Sequence, residues 1–427
     1  MKKISFLILS LFFCAAAALS QTAKEDIYSN VNRAGGGYLA YPVKTSQNTP
    51  PPAGYVPFYV SHYGRHGSRY LISDKDYFLP HNILCRADSL GMLTERGKSV
   101  KLKLDTISEM CRGRGGDLSS VGVCQQKGIA ARMYRAFPEI FEGEIEISAR
   151  STLAPRCILS MDAFCESLKE FNPKLQNTRE ASERYLDYLN YHSPQSQEFT
   201  SEKSAWRKKY NEFKDRQTHP GRLMRLLFKD ENYLDRKQKS DLMWGLYWVA
   251  VDMQDIPTDI SFYNLFTKEE LYDMWQVPNL RYYIVDGNYA PSNHMLLDNA
   301  KGLITNIVES ADDVIKTNSR SATFRFGHDG NLIPLAGLLG LEGCYASTDN
   351  FDKVKDLFCD FRISPMAANI QVIFFRNGKN PDDVIVKFML NERETSIPIP
   401  TKQYPFYKWT DVRNYFQKLI KFGASGR

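Results

Sequence analysis

The sequence predicts an α/β fold whose sheet is interrupted by a mostly helical insert. Three observations point there. The apolar run through Tyr59 and Val60 to Ser61 reads as a buried strand. The alternating run Ala322-Thr323-Phe324-Arg325-Phe326 reads as another, and the apolar stretch 333–341 after it reads as a helix. Between them, from about 166 to 292, the pattern changes to helical periodicity with charged faces and many aromatics.

Taken in chain order, residues 1–20 look like a secretory signal: Lys2-Lys3, an apolar run 4–13, then small residues 15–18. Ala18-Leu19-Ser20 fits cleavage before Gln21, which predicts a secreted or periplasmic protein. Cys14 raises a lipid anchor as an alternative, but Phe13 before it is too bulky for the usual lipobox. The Pro-rich stretch 48–53 reads as an extended lead-in to the strand ending at Ser61. A further strand is expected at 144–148, helices at 201–216 and 239–253, and a capping box at Thr267-Lys268-Glu269-Glu270. Helical periodicity over 297–317 leads back to the strand before His328. Segments 370–375 and 384–390, separated by Asn377-Gly378-Lys379-Asn380-Pro381, read as a hairpin, and Thr410 as the cap of a C-terminal helix. The division expected is a signal at 1–20, α/β parts at 21–165 and 296–427, and a helical cap at 166–295.

Composition narrows the class. With 427 residues, 43% apolar and 24% charged, the chain suits one large domain or two sharing a core. The net charge of +6 is spread along the sequence, and Lys2 and Lys3 belong to the signal, so nucleic acid is not an expected partner. Clusters such as Arg207-Lys208-Lys209 and Arg236-Lys237 read as solvated helix faces, and Arg112-Gly113-Arg114-Gly115-Gly116 as a surface turn. No later run reaches the roughly 18 apolar residues needed to span a bilayer, so no stable membrane insertion is expected. Beyond Cys14 there remain Cys85, Cys111, Cys124, Cys157, Cys165, Cys344 and Cys359, an odd set that leaves at least one unpaired within the chain. Their spacing matches no zinc pattern, and His62 with His66 lacks the helical context of a metal pair.

The chemistry concentrates in Ser61-His62-Tyr63-Gly64-Arg65-His66-Gly67-Ser68-Arg69. An imidazole held between two guanidinium groups stays neutral and nucleophilic, and two arginine forks suit the oxygens of a phosphate. A second cluster, Arg325-Phe326-Gly327-His328-Asp329-Gly330-Asn331, sits at a strand-to-helix turn, where α/β folds bind anions. Between them, Arg156 lies eight residues before Phe164, and Leu118-Ser119-Ser120-Val121-Gly122 is followed by the segment 128–132.

These blocks, in this order, resemble the histidine acid phosphatases, a branch of the histidine phosphatase superfamily. The first resembles the family's R-H-G-x-R signature, the last its H-D motif, and 118–122 its L-T-x-x-G turn with Ser119 in place of threonine. The resemblance implies a phosphoglycerate-mutase-like α/β sandwich domain with a largely helical inserted cap domain. It implies that His66 is the phosphoryl acceptor, its other ring nitrogen donating to a backbone carbonyl. Asp329 is then the general acid, and Arg65, Arg69, Arg156 and His328 bind the phosphate. Lys75, six positions past Arg69, is a candidate for a further substrate phosphate. No cofactor is expected and no metal is needed for this chemistry, since arginines supply the positive charge. The remaining histidines, His62, His81, His192, His219 and His294, carry no motif and read as structural.

Within the family, Arg65-His66-Gly67-Ser68-Arg69-Tyr70 resembles the multiple inositol polyphosphate phosphatases, although His328-Asp329 departs from their usual H-A-E. The expected substrate is a small-molecule phosphate monoester, inositol polyphosphates including phytate first. A general acid or sugar phosphatase is the nearest alternative. A mutase of the superfamily and a non-catalytic phosphoester-binding protein are the others; the binder would be expected to have lost His66 or Asp329.

Overall fold

A computed structural model describes residues 21–42 and 48–426. The expected signal lies outside the described residues. Among the described residues eight strands form one sheet: β1 (Tyr55–Arg65), β2 (Glu146–Ser151), β3 (Gln176–Ala181), β4 (Ser321–Gly327), β5 (Asn369–Asn377), β6 (Val384–Leu390), β7 (Arg393–Thr395) and β8 (Phe406–Lys408). Their order is β3-β2-β4-β1-β5-β6-β7, with β8 on β6. The half from β3 to β1 is parallel and the half from β1 to β7 antiparallel. The longer helices are, in chain order, α1 (Asp74–Ser89), α2 (Glu95–Met110), α3 (Ser120–Ala136), α4 (Pro155–Phe171), α5 (Trp206–Arg216), α6 (Arg236–Asp252), α7 (Lys268–Val285), α8 (Lys301–Lys316), α9 (Asp329–Leu339) and α10 (Trp409–Phe422).

The two-residue period of β1 sends alternate side chains into two cores. Val60 joins Ile147, Phe324, Ile373 and the α3/α4 residues Ile129, Met133 and Phe164 on one face. Tyr59 and Tyr63 point into the larger core on the other face, with Leu303 of α8, Leu335 of α9 and Phe416 of α10. That core continues into a helical layer in which α1 packs on α2 and α6, and the segment Val31–Tyr38 is held against α6 and α7. Sheet and helical layer therefore share one apolar interior.

Most elements fall where the sequence places them, with instructive shifts. β1 runs past Ser61 to Arg65, because pairing with both β4 and β5 continues. The stretch 297–317 breaks into Met295–Asp298 and α8, and α9 begins at Asp329 rather than at 333. Gln176–Ala181, inside the stretch expected to be helical, is the sheet's edge strand β3; its polar residues carry no alternating apolar signal. Thr410 is not the cap of α10. The chain enters that helix directly from β8, Lys408 takes the capping position without a side-chain bond, and Thr410 lies in the first turn. The capping box at Thr267 and Glu270 is formed, and 370–375 with 384–390 is an antiparallel pair.

All seven cysteines from Cys85 to Cys359 are free thiols. Lys208, Lys209, Arg236 and Lys237 are exposed. In the turn at 112–116, the Gly113 and Gly115 amides donate to the Asp74 carboxylate at 2.7 and 3.0 Å, so this loop cradles the protein's own anion. Among the described residues no helix is long and apolar enough to cross a membrane.

Candidate active site

β1 and β4 are parallel neighbours with Arg65 opposite Gly327, so Arg65-His66 and Gly327-His328 leave the sheet side by side at its carboxyl end. The His66 amide donates to the Gly327 carbonyl at 3.0 Å, and the His66 carbonyl accepts from Ala367 at 2.9 Å. The imidazole is buried, with Nδ1 2.9 Å from the Gly67 carbonyl oxygen. That contact places the ring proton on Nδ1 and leaves Nε2 a lone pair. Burial, then the charges of Arg65 and Arg69, hold the ring's pKa well below its ordinary value, so it is neutral.

The guanidinium groups of Arg65 and Arg69 are fixed from behind. Arg65 is fully buried; its Nη1 donates to the Gly37 and Ser364 carbonyls, both at 2.6 Å, and Nη2 lies 2.6 Å from Asp329 Oδ2. Arg69 stacks 4.8 Å from the centre of the Tyr38 ring, donates to the Tyr38 hydroxyl at 3.0 Å and reaches the Tyr70 carbonyl at 2.8 Å. Arg156 projects from the first turn of α4, after Pro155 at the helix start. The Nε groups of all three arginines are buried and find no acceptor among the described residues. Buried donors of this kind call for an acceptor, and convergent guanidinium groups suit an oxyanion.

His328 takes the capping position of α9, its ring centre 5.6 Å from that of His66. Its Nε2 is 3.3 Å from Thr152 Oγ1 and 3.6 Å from Cys157 Sγ, and burial drops its pKa to about 4. Asp329 accepts from the Tyr282 hydroxyl and from the Gly330 amide, each at 3.0 Å. Burial alone would raise this carboxyl, but the charge of Arg65, joined by His328, the Tyr282 hydroxyl and Arg69, outweighs it and holds the pKa at about 2. In the free site Asp329 is an anion.

The family model described as "Histidine phosphatase superfamily (branch 2)" matches residues 64–391, which includes Arg65, His66, Arg69, Arg156, His328 and Asp329. The chain belongs to that superfamily branch. It is a phosphatase of the histidine acid phosphatase type. No curated protein sequence matches it. Among solved structures, the Bifidobacterium longum multiple inositol polyphosphate phosphatase in complex with inositol hexasulfate is similar over 90% of this chain and 97% of its own. Its TM-score is 0.74 at 19% identity. The same enzyme in complex with phosphate gives 0.75 at 19% identity, over 92% of this chain and 100% of that one. The phytase from D. castellii gives 0.67 at 13% identity, over 92% of this chain and 86% of its own. At these identities the likeness establishes the fold.

The histidine phosphatase blocks acquire physical reasons in this chain. Ser119 caps α3 by accepting from the Gly122 amide at 3.2 Å, and its hydroxyl also donates to the Ser68 carbonyl at 3.1 Å. A Cβ at Gly122 would stand 2.2 Å from the Ser68 carbonyl oxygen, and one at Gly67 would stand 2.5 Å from that of Gly122. The two loops touch backbone to backbone, which only glycine allows. Phe164 packs 5.3, 4.9 and 5.5 Å from the rings of His62, Phe324 and Phe326, anchoring α4 and so the direction of Arg156. His62 is a core residue, as its lack of a motif suggests.

Six of the seven expected site residues therefore meet. Lys75 stands apart, exposed in the first turn of α1. Several groups at the site have no sequence signal. Tyr282 and Tyr38 lie in segments rich in aromatics, and Gly37 and Ser364 contribute only carbonyls. Behind Arg69 and Ser68 lie two buried carboxylates. Asp252 accepts from the Tyr77 hydroxyl at 2.5 Å, and Asp255 accepts from Ser68 Oγ. Asp286, at the end of α7, has a carboxyl oxygen 3.4 Å from where a Cβ at Gly330 would be, and burial raises its pKa to about 7.

Proposed function

We propose that this phosphatase hydrolyses phosphate monoesters of the inositol polyphosphate class, phytate among them, through a phosphohistidine at His66. The observation that carries this reading is a neutral imidazole with a free Nε2, set among three guanidinium groups whose buried Nε donors lack a protein acceptor. His66 Nε2 attacks phosphorus while the bond to the alcohol oxygen breaks and its electron pair leaves with that oxygen. Arg65, Arg69, Arg156 and His328 hold the equatorial oxygens and offset the charge that develops on them. Asp329 gives its proton to the leaving oxygen. Water then attacks phosphorus, the P–N bond breaks, and the Asp329 carboxylate takes the water's proton.

Because Asp329 is ionised in the free site, its proton has to arrive with the substrate. A phosphate monoester loses its second proton at a pKa of about 6, so below that pH it enters carrying one. The phosphoryl group also competes with Asp329 for Arg65 and so weakens the interaction that keeps the carboxyl ionised. Both effects favour an acidic to neutral optimum.

For the substrate, support comes from the similar structures: those named above are a multiple inositol polyphosphate phosphatase, seen with inositol hexasulfate and with phosphate, and a phytase. The signal-like segment 1–20 supports action outside the cytoplasm. Lys75, exposed near the start of α1, is the proposed contact for an unreacted phosphate. The test compares kcat/KM for phytate with that for glucose 1-phosphate at low and high salt. The expected result is a clear preference for phytate that narrows as salt screens its extra charges. A preference for the sugar phosphate, indifferent to salt, would make the enzyme a sugar phosphatase.

A further inference from the structure

His81, Cys85 and Asp105, none of them among the groups placed at the active site, converge between α1 and α2. His81 and Cys85 are four apart on one face of α1, and Asp105 comes from the facing side of α2. One ligand atom from each lies within 4.8 Å of the others, the one such group among the described residues. His81 Nε2 is 2.8 Å from Asp105 Oδ1 and 3.3 Å from Cys85 Sγ. The second carboxylate oxygen of Asp105 is held by Lys101 at 2.9 Å. The side chains of His81 and Asp105 keep 22% and 36% of their exposure, so ions have access.

We propose that this cluster binds one divalent transition-metal ion of the zinc type through His81 Nε2, Cys85 Sγ and Asp105 Oδ1, with water as the fourth ligand. Thiolate, imidazole and carboxylate together are a zinc donor set rather than one for magnesium or calcium. With metal–ligand bonds of about 2.0–2.3 Å, tetrahedral ligand atoms stand roughly 3.3–3.7 Å apart. The sulfur–nitrogen separation already fits, and the nitrogen–oxygen pair has to open by about half an ångström. The ion replaces the proton between His81 and Asp105. Cys85 releases its thiol proton to solvent, and the His81 ring proton moves to Nδ1. Lys101 stays on the outer oxygen of Asp105 and orients it. Bound this way, the ion ties α1 to α2, which pack on each other.

The experiment titrates the full chain with Co²⁺ and follows absorbance. A thiolate-to-cobalt charge-transfer band in the near ultraviolet, saturating at one equivalent and abolished by Zn²⁺, is expected. Cys85→Ser should lose that band and keep its phosphatase turnover. Cys124→Ser, which removes the exposed thiol, should retain it. His81→Gln should weaken Co²⁺ binding at least tenfold, and Zn²⁺ should raise the melting temperature of the wild type but not of Cys85→Ser. Absence of the band in the wild type, or its persistence in Cys85→Ser, overturns the site and leaves only a hydrogen-bonded contact between helices.

Discussion

One guanidinium bears on two protonation states at once. Arg65 lies beside both His66 and Asp329; its charge adds to burial in keeping the imidazole neutral and helps to keep the carboxyl ionised. The nucleophile is therefore ready in the free enzyme, whereas the acid becomes one only in the complex. His66→Ala should lower turnover by at least about 10⁴-fold on every substrate and abolish acid-labile phosphate labelling of the protein. Retained activity would remove the phosphohistidine from the mechanism. Asp329→Asn should slow alkyl phosphates by roughly 10²–10⁴-fold but nitrophenyl phosphate far less, because nitrophenolate leaves without a proton. Equal losses on both substrates would take Asp329 out of the acid role.

At the level of elements, the site is a meeting of loops held by close backbone contact. The 67–69 turn lies on the start of α3, where Gly67 and Gly122 leave no room for a side chain, and Ser119 ties the two loops through the Ser68 carbonyl. Gly122→Ala forces that turn to move. We expect a loss of about 1–3 kcal/mol in stability from overpacking, and a fall in kcat/KM because Arg69 and His66 ride on the displaced loop. Thermal melts and steady-state kinetics on the purified variant test both; unchanged kcat/KM would show that the loop absorbs the methyl group elsewhere. Gly128→Ala, whose added Cβ would meet only the Arg132 side chain at 3.1 Å, serves as the control on the same helix.

Across the whole molecule, ionisable groups buried between sheet and helical layer make stability depend on pH in both directions. Asp286 has its pKa raised by burial from 3.8 to about 7. Between those values the native state holds a proton that the unfolded chain has lost, so the group stabilises the fold at low pH and that contribution fades as pH rises to 7. Asp329 has the opposite sign: its pKa of about 2 gives stability that is present above about 4 and lost as pH falls through 2. Asp286→Asn removes the first dependence. Its melting temperature relative to wild type should therefore improve between pH 4 and pH 8. A constant difference across that range would mean that Asp286 titrates normally.

The sequence alone was enough for the family, the places of the main strands along the chain and the clusters of candidate site residues that the fold brings together, because catalytic chemistry demands particular side chains at short, fixed spacing. Arg65, His66 and Arg69 share one turn, and His328 and Asp329 are adjacent, so no folding knowledge is needed to see them as clusters. Buried strands with strong apolar patterns, such as β1 and β4, were legible for a similar reason. The polar edge strand β3 was not, since pairing rather than side-chain pattern makes it a strand. Nor were the partners that reach the site from far along the chain. Tyr282 is 47 residues from Asp329, and Tyr38 is 31 from Arg69. His81, Cys85 and Asp105 meet only because α1 and α2 pack face to face. Such groups are chosen by tertiary contact, which brings together residues whose separation along the chain carries no signal.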